Sequence, residues 1–114
     1  TGTSNVIAVT PGRQQFHGSA IKVQGTWGIT GTVSAGSFNI SSITDTGAGD
    51  QTCNFTTAFS AGAYAVVASN KDTTNVSSTM PNTTAVGSSQ LLTRNAAGTL
   101  IDSHPVSIFC AGDQ

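Results

Sequence analysis

Apolar and polar residues alternate with a period of two along most of the chain, in short runs broken by Gly-, Asn- and Asp-bearing turns. From Ser19 onward, Ile21, Val23 and Gly25 fall on one face, with Ala20, Lys22 and Gln24 on the other. Trp27, Ile29, Gly31 and Val33 continue with the same period. Phe38, Ile40 and Ser42 alternate with Asn39, Ser41 and Ile43; a turn-forming stretch, 44–50, leads into the run 51–57, and together these predict a β-hairpin. Residues 64–68 read as an inner strand, 85–94 as another and 105–110 as the last, with turns at Ser60-Ala61-Gly62 and Asn95-Ala96-Ala97-Gly98. The polar stretch 70–84 reads as a long connection or an edge excursion, the kind of segment that carries variable contacts. Seven or eight short antiparallel strands make an all-β domain, a single β-sandwich or jelly-roll-like fold. Ahead of it, residues 1–18 read as an N-terminal arm: the apolar run Val6-Ile7-Ala8-Val9, a turn at Pro11-Gly12, then a polar connector. The expected division is therefore arm 1–18 and sandwich 19–114.

Composition narrows the functions open to such a domain. Of 114 residues only nine are charged, four basic and five acidic, and every acid is Asp. Without a basic excess, charge-driven nucleic-acid binding is not expected. No run of about 18 apolar residues exists to cross a membrane as a helix. Ser, Thr, Asn and Gln total 45 residues, while the large apolar types total 27. Ordering a chain costs about 1–2 kcal/mol per residue, so so thin an apolar inventory points to a core completed at a subunit interface. The chain begins at Thr1 without an initiator Met or a signal-peptide pattern, which reads as a mature form or a fragment.

Candidate chemistry is sparse. Asp45-Thr46-Gly47-Ala48 matches the active loop of retroviral-type aspartic proteases, small all-β homodimers that pair two such Asp residues across a twofold axis. Thr44 stands where an apolar residue is expected, and Ala85-Val86-Gly87 comes too early to supply the second glycine segment. Asp and Gly in a hairpin turn also have a plain backbone explanation. Asp45 and Asp50 lack the alternating ligands and terminal Glu of an EF-hand. Gly25, Gly28 and Gly31 recur every third residue but match neither nucleotide-binding fingerprint. Cys53 and Cys110 are two buried thiols or one disulfide, and sequence alone does not supply the geometry to choose. His17 and His104 have no metal-ligand spacing with them, and no metal or cofactor is expected. Asn39, Asn54, Asn75 and Asn82 each open a glycosylation triplet of the sort chance supplies in a Ser/Thr-rich chain. Trp27, Tyr64 and Arg94 offer a sugar-stacking platform on paper, although a lone Trp and a lone Tyr more often anchor a core.

Two blocks carry a resemblance. Pro11-Gly12-Arg13-Gln14-Gln15-Phe16-His17-Gly18-Ser19-Ala20 is similar to the leading segment of β-domains in bacteriophage tail-fibre and virion-surface proteins. Ser37-Phe38-Asn39-Ile40-Ser41-Ser42-Ile43-Thr44-Asp45-Thr46-Gly47-Ala48-Gly49-Asp50, with the strands after it and the closing Asp102-Ser103-His104-Pro105-Val106-Ser107-Ile108, resembles their central hairpin and final strand. The chain departs from that pattern at Gly18, where Pro is usual, and at Cys53 and Cys110, where aliphatic residues are usual. It also has a shortened segment before Tyr64. The resemblance implies a non-enzymatic virion-surface protein, a homotrimer, with no catalytic residue. Its partners would be its own copies, other tail or capsid proteins, and a host-surface glycan or protein. A tail-fibre or receptor-binding tip is the first expectation and a capsid decoration (cement) protein the second. A secreted filament subunit is a third, and a protease acting through Asp45 the most remote.

Overall fold

A computed structural model describes residues 20–114; the expected arm and His17 lie outside the described residues. The β-branched and aromatic residues noted above form seven strands: β1 (Ile21–Trp27), β2 (Ile40–Gly47), β3 (Asp50–Phe55), β4 (Ala65–Asn70), β5 (Ser77–Ala85), β6 (Ser88–Asn95) and β7 (Val106–Ala111). They build two antiparallel sheets packed as a sandwich, three-stranded in the order β1-β7-β4 and four-stranded in the order β2-β3-β6-β5. The all-β sandwich expected from the alternation is the fold observed.

Several local expectations need correction. β1 ends at Trp27, and the expected run through Ile29 and Val33 is a loop that returns to β1 only through the isolated bridges Trp27–Val33 and Gln24–Phe38. Residues 85–94 are not one strand: Val86-Gly87 forms a two-residue turn between β5 and β6. The polar stretch 70–84 contains most of β5, an edge strand that accommodates Pro81 at a bulge. An edge tolerates a residue with no N–H to donate. β4 is not an inner strand, because β7 occupies the middle of the three-stranded sheet.

The face assignment at the start of β1 is also reversed. A bulge sets both Lys22 and Val23 opposite Cys110, since Ile21 pairs with Ala111 and Val23 with Cys110. The extra residue turns Ile21 outward, 55% exposed, and sends Lys22 inward to 2%. The Lys22 Nζ has no hydrogen-bond partner among the described residues.

The core lies between the sheets and is small: Val23, Trp27, Cys53, Phe55, Phe59, Leu91, Val106, Ile108 and Cys110. Phe59 and Tyr64 stack with centroids 3.9 Å apart, and Phe55 meets both rings edge-on at 5.6 and 5.9 Å. The Tyr64 hydroxyl lies within hydrogen-bond distance of the Ser88 and Ala85 carbonyls across the sandwich. Gly25 lies so close to Ile40 and Ser37 that a Cβ there would strike both. Where β1 ends, Trp27 of the three-stranded sheet donates from Nε1 to Oε1 of Gln51 in the four-stranded sheet, at 2.9 Å.

Both ends of that bond are buried, so breaking one end costs more than the bond itself contributes. Trp27→Phe strands the Gln51 carbonyl and is expected to cost about 1–3 kcal/mol of unfolding free energy in urea denaturation. Trp27→Ala, which also opens a cavity, is expected to cost about 3–5 kcal/mol.

Candidate functional site

The Asp45-Thr46-Gly47-Ala48 segment forms the end of β2 and the start of the tight turn to β3. Asp45 is exposed, and its Oδ1 accepts from the Gly47 backbone N–H at 3.1 Å, a turn-stabilising role. The turn is held by β6, the strand next to β3, and by the segment that follows it. Gly49, at φ 67°, donates to Asp102 Oδ1 at 2.9 Å, while its carbonyl accepts from Thr93 N–H at 2.8 Å. A Cβ on Gly49 would meet the Thr93 carbonyl oxygen at 2.5 Å and Ile101 backbone atoms at 2.8 Å. Asn39, at φ 60°, is a second tie: its side chain donates to the Lys22 and Thr57 carbonyls and accepts from Thr57 N–H.

The other candidates separate. Trp27 is fully buried and Tyr64 stacks inside, so they form no platform with Arg94, whose guanidinium donates to the Gly98 carbonyl. The His104 Nδ1 is buried without a partner among the described residues. Among those residues no three His, Cys, Asp or Glu side chains gather as a metal site. No helix among them is long and apolar enough to cross a membrane. Asn54, Asn75 and Asn82 are engaged with neighbouring side chains: Asn54 with Ser42 and Thr44, Asn75 with Asp72, Asn82 with Gln90.

Cys53 on β3 and Cys110 on β7 point into the same core from opposite sheets, both fully buried and both free thiols. Burial pushes each up to about 12, and the nearby Cys110 adds to the rise at Cys53.

Polar chemistry concentrates in two networks. On the outer face of the four-stranded sheet, Gln90 donates to Asp50 at 2.8 Å and accepts from Asn82 at 2.8 Å and from Thr83 at 3.0 Å. At one end of the sandwich, Asp72 accepts from Thr74 N–H, Asn75 N–H, Asn75 Nδ2 and Ser103 Oγ at 2.7–3.2 Å. Ser77 lies 2.8 Å from Ser103, and Asn70 links to the buried Thr79–Thr93 pair. Hydrogen bonds from Asn75, Thr74 and Ser103 hold the Asp72 carboxyl well below the usual carboxylate range.

The outer face of the three-stranded sheet has the opposite character. Ile21, Phe38, Val67 and Phe109 are 44–58% exposed there or at its edge, and Gln24, Phe109 and Val67 lie in one cross-strand row. A shallow depression of about 190 Å³ runs along it, walled by Gln24, Thr26, Val67, Ser69, Ser107 and Phe109. Sequence reasoning missed this surface. The available signal was the run Ile108-Phe109-Cys110: apolar residues at successive strand positions leave at least one on the outer face. No family model matches the chain, and no curated protein or solved structure is similar enough to lend it a family or a function.

Two measurements check this geometry. Because the folded Asp72 holds its proton less tightly than the ordinary value of 3.8, its ionised form stabilises the fold above that pH, and the contribution is lost as pH falls below it. The melting temperature of the wild type is therefore expected to drop more steeply between about pH 5 and pH 2 than that of Asp72→Asn. The raised thiols leave about a thousandfold less thiolate than unburied cysteines near neutral pH. An aromatic disulfide reagent at pH 8 is expected to leave both cysteines unmodified in the native protein and to titrate two per chain in denaturant.

Proposed function

We propose that this chain is a non-enzymatic structural protein of a bacteriophage virion. It is a surface-exposed β-domain that assembles as a homotrimer and serves at a tail-fibre tip in host attachment. The observation that carries this reading is how the resemblance blocks are used. Asn39, Asp45, Gly49, Asp50, Asn54 and Asp102 are each engaged in holding a turn, a loop or a strand neighbour. Residues committed to the frame suit a module that works by presenting surface rather than by transforming a substrate. The polar outer face and the 71–76 loop present hydroxyls and amides of the kind that engage a host glycan or protein. Low charge is no obstacle to that role.

A capsid decoration protein is the second reading. The apolar run Val6-Ile7-Ala8-Val9 favours it, because such a run ahead of a compact domain suits gripping a neighbouring capsid subunit. Locating the chain in a reconstruction of the intact particle separates the two: density at the tail tip supports the first, and density repeated over the capsid lattice supports the second. Absence from the particle overturns both. The homotrimer predicts a sedimenting mass three times the 11.4 kDa of one chain, and a stable folded monomer at micromolar concentration overturns it.

A further inference from the structure

We propose that the uncharged outer face of the β1-β7-β4 sheet is the seat of the chain's own apolar segment Val6-Ile7-Ala8-Val9, bound within the same molecule. The inference does not depend on the virion reading. Its first support is the character of the face. Ile21, Gln24 and Thr26 of β1, Ser107, Phe109 and Ala111 of β7, and Ala65, Val67 and Ser69 of β4 carry no charge. Exposed aromatic and aliphatic side chains gathered on one sheet face mark an interaction site.

The second support is its asymmetry. The strand register places Ile21, Ala111 and Ala65 in one row and Gln24, Phe109 and Val67 in another, while Thr26, Ser107 and Ser69 lie together toward the opposite end. The apolar end is therefore the one at which the chain enters β1. The bulge strengthens it by turning Ile21 onto this face in place of Lys22.

The third support is reach. Ten residues, 10–19, separate Val9 from Ala20, the first described position. Extended, they span roughly 33 Å, against about 10 Å across three strands. Pro11-Gly12 supplies a turn signal within that connection, so the run can fold back over the sheet it precedes. A tether this short also gives the chain's own segment a high effective concentration over a copy from another molecule. Seated there, residues 6–9 would be withdrawn from gripping a neighbouring capsid subunit.

Paramagnetic relaxation on the full chain tests the proposal. A nitroxide is attached at Ile7→Cys in a Cys53→Ala/Cys110→Ala background, with the unlabelled background folded as a reference. The expected result is loss of amide signals from residues 65–69 and 107–111 in the chain that carries the label, with residues 42–46 on the other sheet unaffected. Adding Val67→Lys is expected to restore those signals. A second sample, in which label-bearing chains without ¹⁵N are refolded in equal amounts with unlabelled ¹⁵N chains, is expected to show no loss. Intact signals at 65–69 and 107–111 in the first sample overturn the proposal. Equal loss in the second sample overturns it as well, by assigning the face to a neighbouring copy. If the cysteine-free background does not fold, protease footprinting of the wild type against Val67→Lys replaces it. Unchanged cleavage within residues 1–19 is then the overturning result.

Discussion

A chain with so few large apolar residues must close two sheets over a small core, nine buried apolar side chains among the described residues, and the Trp27–Gln51 hydrogen bond ties the two sheets together across it. Trp27 contributes the largest fully buried side chain, yet its indole N–H needs a partner once water is gone. Gln51, reaching inward from the opposite sheet, meets that need and thereby sets the relative position of β1 and β3. Around this pair, Cys53 and Cys110 behave as small apolar residues, and Leu91, Val106 and Ile108 fill the remaining space. The stacked Phe59 and Tyr64 extend the closure toward the β5–β6 turn, where the tyrosine hydroxyl reaches the Ser88 carbonyl.

Among the described residues, hydroxyls, amides and two carboxylates tie the surface together. Gln90 joins three strands by accepting from Asn82 and Thr83 and donating to Asp50. Asp72 gathers four donors from its own loop and from Ser103, and Thr79 and Thr93 carry the bonding into the interior. Apart from the Asp50 and Asp72 carboxylates the partners are neutral, so these contacts depend less on salt than ion pairs would, because screening acts on charges. They do require geometry, which explains the unusual backbone conformations at Asn39 and Gly49.

The fold class was legible because period-two alternation survives in five of the seven strands, and the hairpin 38–57 was legible because Asp and Gly mark its turn. The missed elements share a physical cause. β5 is an edge strand with almost no buried side chain, so selection for a core face leaves no trace in its sequence, and Pro81 further disguises it. At β1, a bulge shifted the phase of the pattern, so Ile21 and Lys22 exchanged sides without any change in composition. The turn role of Asp45 was readable from the Asp-Gly spacing, whereas the clamp from Asp102 was not, since 53 residues separate it from Gly49. The apolar outer face was hidden for a related reason: alternation shows which residues share a face, but not which face meets the second sheet.

The pairing of β1 with β7 has a mechanical consequence. Ile21 lies opposite Ala111, so the chain enters and leaves the described domain from the same end of one antiparallel pair. Tension applied between those two points peels the strands apart one hydrogen bond at a time, a mode that resists weakly. Tension applied between the entry at β1 and the β2–β3 turn, which lies at the opposite end of the sandwich, must instead disturb both sheets and the Trp27–Gln51 bond together. The described domain thus resists a pull between its entry strand and the β2–β3 turn, and yields when pulled by the two ends of the β1–β7 pair.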